Sequence, residues 1–397
     1  MKAVVWHDVG DIRMDDVPEP RIEQPTDAVI RLTATAICGT DLHFVRGSMA
    51  PMKPGTILGH EGVGIVEELG EDVRNLEVGD RVVVASTIGC GSCNYCRAGY
   101  YAQCDVANPN GKTAGTAFFG GPEATGSFDG LQAEKARIPY ANVTLVKLPD
   151  EVADDDALLI SDIFPTAWFG AKLADISHGD TVAVFGCGVV GLFSILSAQL
   201  QGAGRVFAVD QHPDRLEQAR RLGAEVVDFS REDPVETLRR LTGGSGPDRI
   251  IDAVGVDAES PGPDRDESFA SEVEEVAPET PGSDSSFRPP GDAPSQALRW
   301  EVEAIAKAGT LSIIGVYSPD DETFPIGLAM GKNLTLKMGN ANHRRYIPEL
   351  VELVRTGAVR PSEMLTQVGE LTNAIDAFEH FDRREEGWRK VALDPSA

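Results

Sequence analysis

TVAVFGCGVVGLFSILSAQL, residues 181–200, passes from a short β-branched run through a glycine turn into a long uncharged apolar run. Strand, tight turn, helix is the context that gives a G-x-G-x-x-G motif its meaning. Here the motif is Gly186-Cys187-Gly188-Val189-Val190-Gly191. The first glycine permits the turn, the second lets backbone approach a pyrophosphate, and the third allows the helix to pack closely on the strand. The helix start at Val189 and Val190 offers free N–H groups and a positive dipole end to the phosphates. Asp210 closes the next strand, near the interval of about 20 residues expected of a ribose-binding acid. A carboxylate there accepts from the 2′-hydroxyl and repels a 2′-phosphate, which favours NAD. Arg215 would admit NADP if it swung toward the ribose; otherwise it belongs to a solvated helix face. Glycines used only for packing are the plain alternative.

The alternation continues down the chain. RVFAVD precedes HPDRLEQARRL, AEVVDF precedes PVETLRRLT, and RIIDAV precedes a helix around Ala297–Lys307. GTLSIIGV and NLTLKMG follow, so the pattern predicts right-handed βαβ units around a parallel sheet. Residues 1–150 read differently, as short strands punctuated by Gly and Pro: KAVVW, AVIRLTAT, GVGIVEEL, DRVVVAS and ANVTLVKL. That pattern suggests an all-β, barrel-like unit. The tail returns to a helix, Pro348–Thr356, and a strand near Lys390–Leu393. From Asp257 to Ser295 the chain is rich in Pro, Ser, Gly, Asp and Glu. This stretch is expected to be a mobile insertion without a core, dispensable for chemistry.

Acidic residues number 63 against 36 Lys and Arg, a net charge of −27, and no lysine occurs between Lys172 and Lys307. Nucleic-acid binding calls for a basic surface and is excluded. Acid spread over the whole surface, with arginine preferred to lysine, suggests adaptation to high salt, where screening removes the self-repulsion. A merely acidic mesophilic enzyme is the alternative. No run reaches the length of about 18 apolar residues of a membrane span. The N-terminal MKAVVWHDVGDIRMDD has no signal-peptide core, so the cytoplasm is the expected location.

Cys90, Cys93, Cys96 and Cys104 sit in GCGSCNYCRAGYYAQC. Two residues separate each of the first three and seven precede the last, a crowding that suits a closed tetrahedral zinc site with no open position for chemistry. Disulfides are rare in a reducing compartment, and core thiols do not cluster among Gly, Ser, Asn and Arg. A second set of metal-capable groups is spread more widely. Cys38 sits in ICGTDLH directly after an apolar strand, His60 and Glu61 in LGHEGVG, and Asp162 inside LLISDIFPT. Singly, each has an ordinary reading: a core thiol, a turn histidine, a helix N-cap.

Together these motifs carry a resemblance. CGTDLH, GHEGVG, the four-cysteine lobe, SDIFPTAWFGA and GCGVVG, with weaker support from GSFDGLQAEKARIPYA, occur in family order over most of the chain. The chain resembles the zinc-dependent medium-chain alcohol dehydrogenases, and within them the glutathione-independent formaldehyde dehydrogenase branch. The resemblance implies an α/β protein: a GroES-like, β-rich catalytic domain plus a doubly wound Rossmann domain with a parallel sheet. The domains would be 1–164 with the lobe at 89–105, then 165–340 with the acidic insertion 257–295, then a catalytic return at 341–397.

The resemblance also implies two zinc ions per chain, NAD, and a homo-oligomer, dimer or tetramer. The catalytic zinc ligands fall on Cys38, His60 and Asp162. Many alcohol dehydrogenases have cysteine where Asp162 stands; a harder oxygen ligand should leave the zinc more electrophilic. Asp41 matches an acid that orients the histidine ligand. Glu61 matches a residue that approaches the zinc when water leaves, or simply an acid behind the ligands. Hydride would pass from a zinc-bound small alcohol or aldehyde hydrate to NAD, with Thr40, the cofactor ribose and His43 carrying the proton away. Thr166 matches a position beside the nicotinamide, Val316 one whose backbone meets its carboxamide, and Lys390 one near the pyrophosphate. Gly39 departs from relatives that carry a basic residue there, and Cys187 reads as a small residue in the turn. Competing readings are an alcohol or polyol dehydrogenase using NAD(P), a zinc-lyase or zinc-free quinone reductase, and a non-catalytic NAD-binding protein. Residues 113–130, rich in Gly and Phe, are candidates for shaping the substrate pocket.

Overall fold

A computed structural model describes residues 1–49, 52–261, 267–317 and 323–396. Residues 262–266, part of the acidic stretch 257–295, lie outside the described residues. Two compact units emerge: Met1–Pro165 with Glu279–Pro289 and Ala341–Ala397, and Thr166–Pro278 with Pro290–Asn340.

The second unit is built on a six-stranded parallel sheet. Its order is Glu225–Asp228, Arg205–Asp210, Thr181–Phe185, Arg249–Asp252, Thr310–Ile313, Thr335–Met338. The order reverses at Thr181–Phe185, so the glycine turn that follows this strand lies at the topological switch point, the usual ligand crevice of an open α/β sheet. Ala183, Phe185, Phe207, Ile250, Leu298, Val302 and Leu311 share its core.

The first unit is β-rich. Its central strand, Ala28–Ile37, pairs antiparallel with Gly62–Leu69, Lys135–Ile138 and Val391–Asp394. This register positions the site. Thr35 pairs with Gly62, and its hydroxyl donates to Glu61 O at 2.8 Å, which brings the His60–Glu61 turn beside the end of the strand. Ile37 pairs with Val391, so the chain's last strand arrives at the same end.

Three local expectations change. ANVTLVKL is not one strand: Ala141–Thr144 is a helical turn and only Leu145–Lys147 is extended. The tail helix runs His343–Arg355, starting five residues before Pro348. Pro348 thus lies inside the helix, in its second turn, where its missing N–H removes one i→i−4 bond. The third change concerns the acidic stretch 257–295, which contributes to a core despite its composition. Ala270–Val276 is a helix, and Phe269, Val276, Phe287 and Ala293 are buried. Residues 279–289 pack within the first unit, where Phe287 joins Trp6, Phe44 and Phe378.

The seat for this segment is made by glycines. Gly10 and Gly47 both have positive φ, and a Cβ on either would lie 2.8 Å from Ser285 Oγ or 2.2 Å from Glu279 O, respectively. Asp382 completes the seat, its Oδ1 accepting from buried Arg46 Nε at 2.7 Å and its Oδ2 from Arg288 N at 2.8 Å. Composition misleads here because a few apolar side chains suffice when they dock on a core that already exists. Phe287→Ala should therefore cost about 3 kcal/mol by denaturant unfolding; wild-type stability in that variant would mean the segment adds nothing.

Candidate active site

Three elements bring Cys38, His60 and Asp162 together in the first unit. Cys38 caps the helix Gly39–Arg46 directly after the central strand. His60 lies on the turn before Gly62–Leu69, and Asp162 at the break between helices Asp154–Ser161 and Ile163–Ala174. Asp162 thus stands both at the end of one helix and directly before the start of the next. One ligand atom from each of Cys38, His60, Glu61 and Asp162 lies within 4.8 Å of the others, and all four residues are buried.

The spacing can be tested against a metal. Asp162 Oδ2 lies 3.7 Å from Cys38 Sγ and 3.5 Å from His60 Nε2. Tetrahedral zinc with ordinary bond lengths sets S···O and N···O distances at about 3.5 and about 3.3 Å. The three residues fit such an ion with little movement. Burial works against charge on His60, yet Asp41, Cys38 and Asp162 outweigh it and push its imidazole well above the usual range. Burial likewise opposes the Asp162 carboxylate, but His343 and His60 hold it well below the usual range.

Asp41 stands behind the ligands. Its Oδ2 accepts from Cys38 N at 3.0 Å and Gln132 Nε2 at 3.1 Å, while Oδ1 lies 3.2 Å from His60 Nδ1. One carboxylate thus sets both the Cys38 backbone and the His60 ring, leaving Nε2 toward the site. Phe118 packs over the His60 ring with centroids 4.6 Å apart. Glu61 is buried with Oε1 2.5 Å from Lys390 Nζ and Oε2 without a hydrogen-bond partner among the described residues. Burial, only partly offset by Lys390, pushes the Glu61 carboxyl up to about 7.

Lys390, matched by the resemblance to a position near the pyrophosphate, is buried in the first unit with its ammonium on Glu61 Oε1 and on Ile37 O at 2.9 Å. A fully buried lysine requires a buried acceptor, and Glu61 is that acceptor. Thr40 Oγ1 lies 3.8 Å from Cys38 Sγ. His43, on the same helix, is buried with Nδ1 3.0 Å from Ser48 Oγ.

The four-cysteine lobe is equally compact, with its sulfurs within 4.8 Å of one another. Cys90 Sγ accepts from Ser92 N and Cys93 N at 3.4 Å, and Cys93 Sγ from Cys96 N at 3.4 Å. Cys104 Sγ accepts from Cys90 N and Ala107 N at 3.3 Å. Such donors stabilise thiolates. Burial opposes the Cys90 thiolate, yet the Ser92 hydroxyl and the Ser92 and Cys93 amides bring its pKa down to about 6. Burial and neighbouring sulfurs push Cys96 and Cys104 up. Without a cation the four sulfurs cannot all be thiolates; a zinc ion resolves that conflict.

In the second unit the glycine turn behaves as its spacing requires. Gly186 has φ +83°, and a Cβ on Gly191 would lie 1.8 Å from Gly186 O. A Cβ on Gly188 would meet nothing within 4 Å, so the turn is open there for an approaching phosphate. Asp210 is buried and accepts from Cys187 N (2.7 Å), Gln211 N (2.7 Å) and His212 N (2.9 Å). A carboxylate has about four acceptor sites, so capacity for a ribose hydroxyl remains. Burial pushes the Cys187 thiol well up, which suits a small buried turn residue. Arg215 is half-buried on Pro213–Arg221, and Val316 O accepts from Val256 N at 2.9 Å. Thr166 opens this unit.

Sequence reasoning missed Gln132 and His343. Gln132 stands in a quoted motif without an assigned role. His343 precedes Pro348, the residue at which the sequence pattern places the start of the helix.

This fold is that of the zinc-type alcohol dehydrogenases. Residues 24–150 match the alcohol dehydrogenase GroES-like domain, and residues 189–260 the zinc-binding dehydrogenase family. The uncharacterized zinc-type alcohol dehydrogenase-like protein AdhB of Bacillus subtilis is 38% identical over 399 residues, covering 100% of both chains. The solved alcohol dehydrogenase TADH of Thermus sp. ATN1 is 34% identical with a TM-score of 0.82, covering 99% of each chain. The glutathione-independent formaldehyde dehydrogenase of Pseudomonas aeruginosa is 30% identical, covering 99% of this chain and 97% of that one. The chain belongs to the zinc-type medium-chain alcohol dehydrogenase family and is an oxidoreductase of the alcohol dehydrogenase type. Among the described residues no helix is long and apolar enough to cross a membrane.

Proposed function

We propose that this protein oxidises a small alcohol or aldehyde hydrate with NAD, using one catalytic and one structural zinc ion per chain. The observation that carries the reading is the buried convergence of Cys38, His60 and Asp162 with Asp41 behind them. Zinc held there supplies Lewis acidity toward a substrate oxygen, and NAD supplies the hydride acceptor. Cys38, His60 and Asp162 hold the ion, while Asp41 fixes the first two. Thr40 and His43 would carry away the proton of the substrate hydroxyl, Thr40 Oγ1 giving up its own hydroxyl proton as it accepts one. Cys90, Cys93, Cys96 and Cys104 hold the structural ion. Gly186, Gly188, Val189, Val190 and Gly191 cradle the pyrophosphate, with Thr166 and Val316 on the nicotinamide side. Asp210 selects the ribose, so Asp210→Gly should weaken NAD use and improve NADP use. Measured preference of the unmodified enzyme for NADP would assign the selection to Arg215 instead.

Aspartate at 162 supports an aldehyde-hydrate substrate of the formaldehyde kind. The 34% identity to the alcohol dehydrogenase TADH, against 30% to the formaldehyde dehydrogenase, supports ordinary alcohols. A screen of NAD reduction across formaldehyde, ethanol, butanols and polyols separates them. It is best run in high salt, given the net charge of −27 and a surface read as salt-adapted. We expect a cytoplasmic homo-oligomer. Absence of turnover with every alcohol and aldehyde in a protein carrying both zinc ions would overturn the reading.

A further inference from the structure

Asp162 uses its two oxygens differently. Oδ2 faces Cys38 Sγ and His60 Nε2, the side where an ion would sit. Oδ1 points away, accepting from Ser86 Oγ at 2.8 Å and lying 2.8 Å from His343 Nε2. The other ring nitrogen, Nδ1, lies 3.1 Å from Thr87 Oγ1. Nε2–H donates to the Asp162 carboxylate, which can only accept, while Nδ1 pairs with the Thr87 hydroxyl, itself within reach of Ala341 O at 3.4 Å, and the Ser86 hydroxyl lies 3.1 Å from Nε2. Ser86 and His343 are both buried. His343 is anchored from its other side too, because neighbouring Asn342 accepts from Ala102 N at 3.0 Å, inside the lobe formed by the four cysteines.

We propose that His343 is a positioning residue for the metal site, holding Asp162 so that Oδ2 alone is presented to the ion. The proposal rests on the reading of Asp162 as a ligand. A carboxylate with both oxygens unheld turns about its Cβ–Cγ bond and loses ordering entropy on binding an ion; two donors on Oδ1 remove that freedom in advance. Nothing in the role requires His343 to touch substrate or cofactor, so it is not a catalytic residue.

The test uses the full chain with zinc loaded, and reads the affinity of each ion by chelator competition. His343→Ala should weaken one zinc by about 10–100-fold and leave the lobe zinc, an internal reference, unchanged. His343→Gln, which keeps an N–H donor at similar reach, should recover most of the loss. In an Asp162→Cys background there is no carboxylate to hold, so adding His343→Ala should weaken zinc no further. Wild-type affinity for both ions in His343→Ala, or the same loss in both backgrounds, would overturn the proposal. If His343→Ala does not fold, Thr87→Val carries the test: it removes the hydroxyl that holds the ring at Nδ1 and should weaken the same zinc. Unchanged affinity in that variant would count against the role. Failure of the underlying reading looks different: Asp162→Asn would then leave both zinc affinities unchanged, and the proposal would fall with it. If Asp162→Asn weakens one zinc and His343→Ala weakens neither, the positioning role alone fails.

Discussion

Asp162→Asn should bring zinc content from two ions per chain to about one and collapse turnover. The substitution is nearly isosteric, so the fold should survive, but it removes a negative charge from a buried site where Oδ2 lies 3.5 and 3.7 Å from two other donor atoms. Zinc affinity there should drop by at least about 10-fold, and alcohol oxidation by more, since the Lewis acid is lost with the ion. NAD binding, measured separately by fluorescence titration, should be unchanged because the glycine turn lies in the other unit. If Asp162 served only the helix end, asparagine would cap about as well and the change would cost ~1 kcal/mol or less. Asp162→Cys is the complement, restoring a charged ligand of the kind the resemblance attributes to many alcohol dehydrogenases. Full activity and unchanged zinc content in Asp162→Asn would remove the catalytic-zinc assignment, and with it the support for an aldehyde-hydrate substrate.

Cys96→Ser should have the second large effect, on folding more than on chemistry. Cys96 is buried in the lobe and packs in the same core cluster as Ile30, Val82 and Phe119. Losing its thiolate leaves three sulfurs to hold the ion. Zinc content should again fall to about one, but now with a lowered melting temperature, since structural zinc binding is itself folding free energy. Prolonged treatment with a strong chelator should reproduce the destabilisation. A native chain that carries one zinc, with content unaffected by Cys96→Ser, would contradict the two-ion reading. Measured side by side, the two substitutions separate the ions: one costs activity at nearly constant stability, the other costs stability first.

Much of this is legible in the sequence where the chemistry is local. The turn Gly186–Gly191 can be read because its demands are met within one strand end and one helix start. The lobe can be read because Cys90, Cys93, Cys96 and Cys104 fall within fifteen residues of each other. The acidic stretch misleads because composition counts how many apolar residues a segment has, and Phe287 needs only a place to dock. The pairing of Lys390 with Glu61 is not legible because a family position says nothing of the carboxylate that holds the lysine. His343 is hidden because proline at 348 suggests a helix start, whereas the helix begins at His343.

Local order is therefore determined by the sequence itself: which segments are strands, where the chain turns, and which thiols are near enough to share an ion. What tertiary structure decides is the company kept by residues far apart in the chain. Cys38 and Asp162 meet across 124 positions, Ser86 and His343 across 257, and Glu61 and Lys390 across 329. The last of these depends on the register of Ala28–Ile37 with Gly62–Leu69 and Val391–Asp394. Register is set by side chains packing on both faces of a sheet, a sum over many weak contacts that no short motif contains.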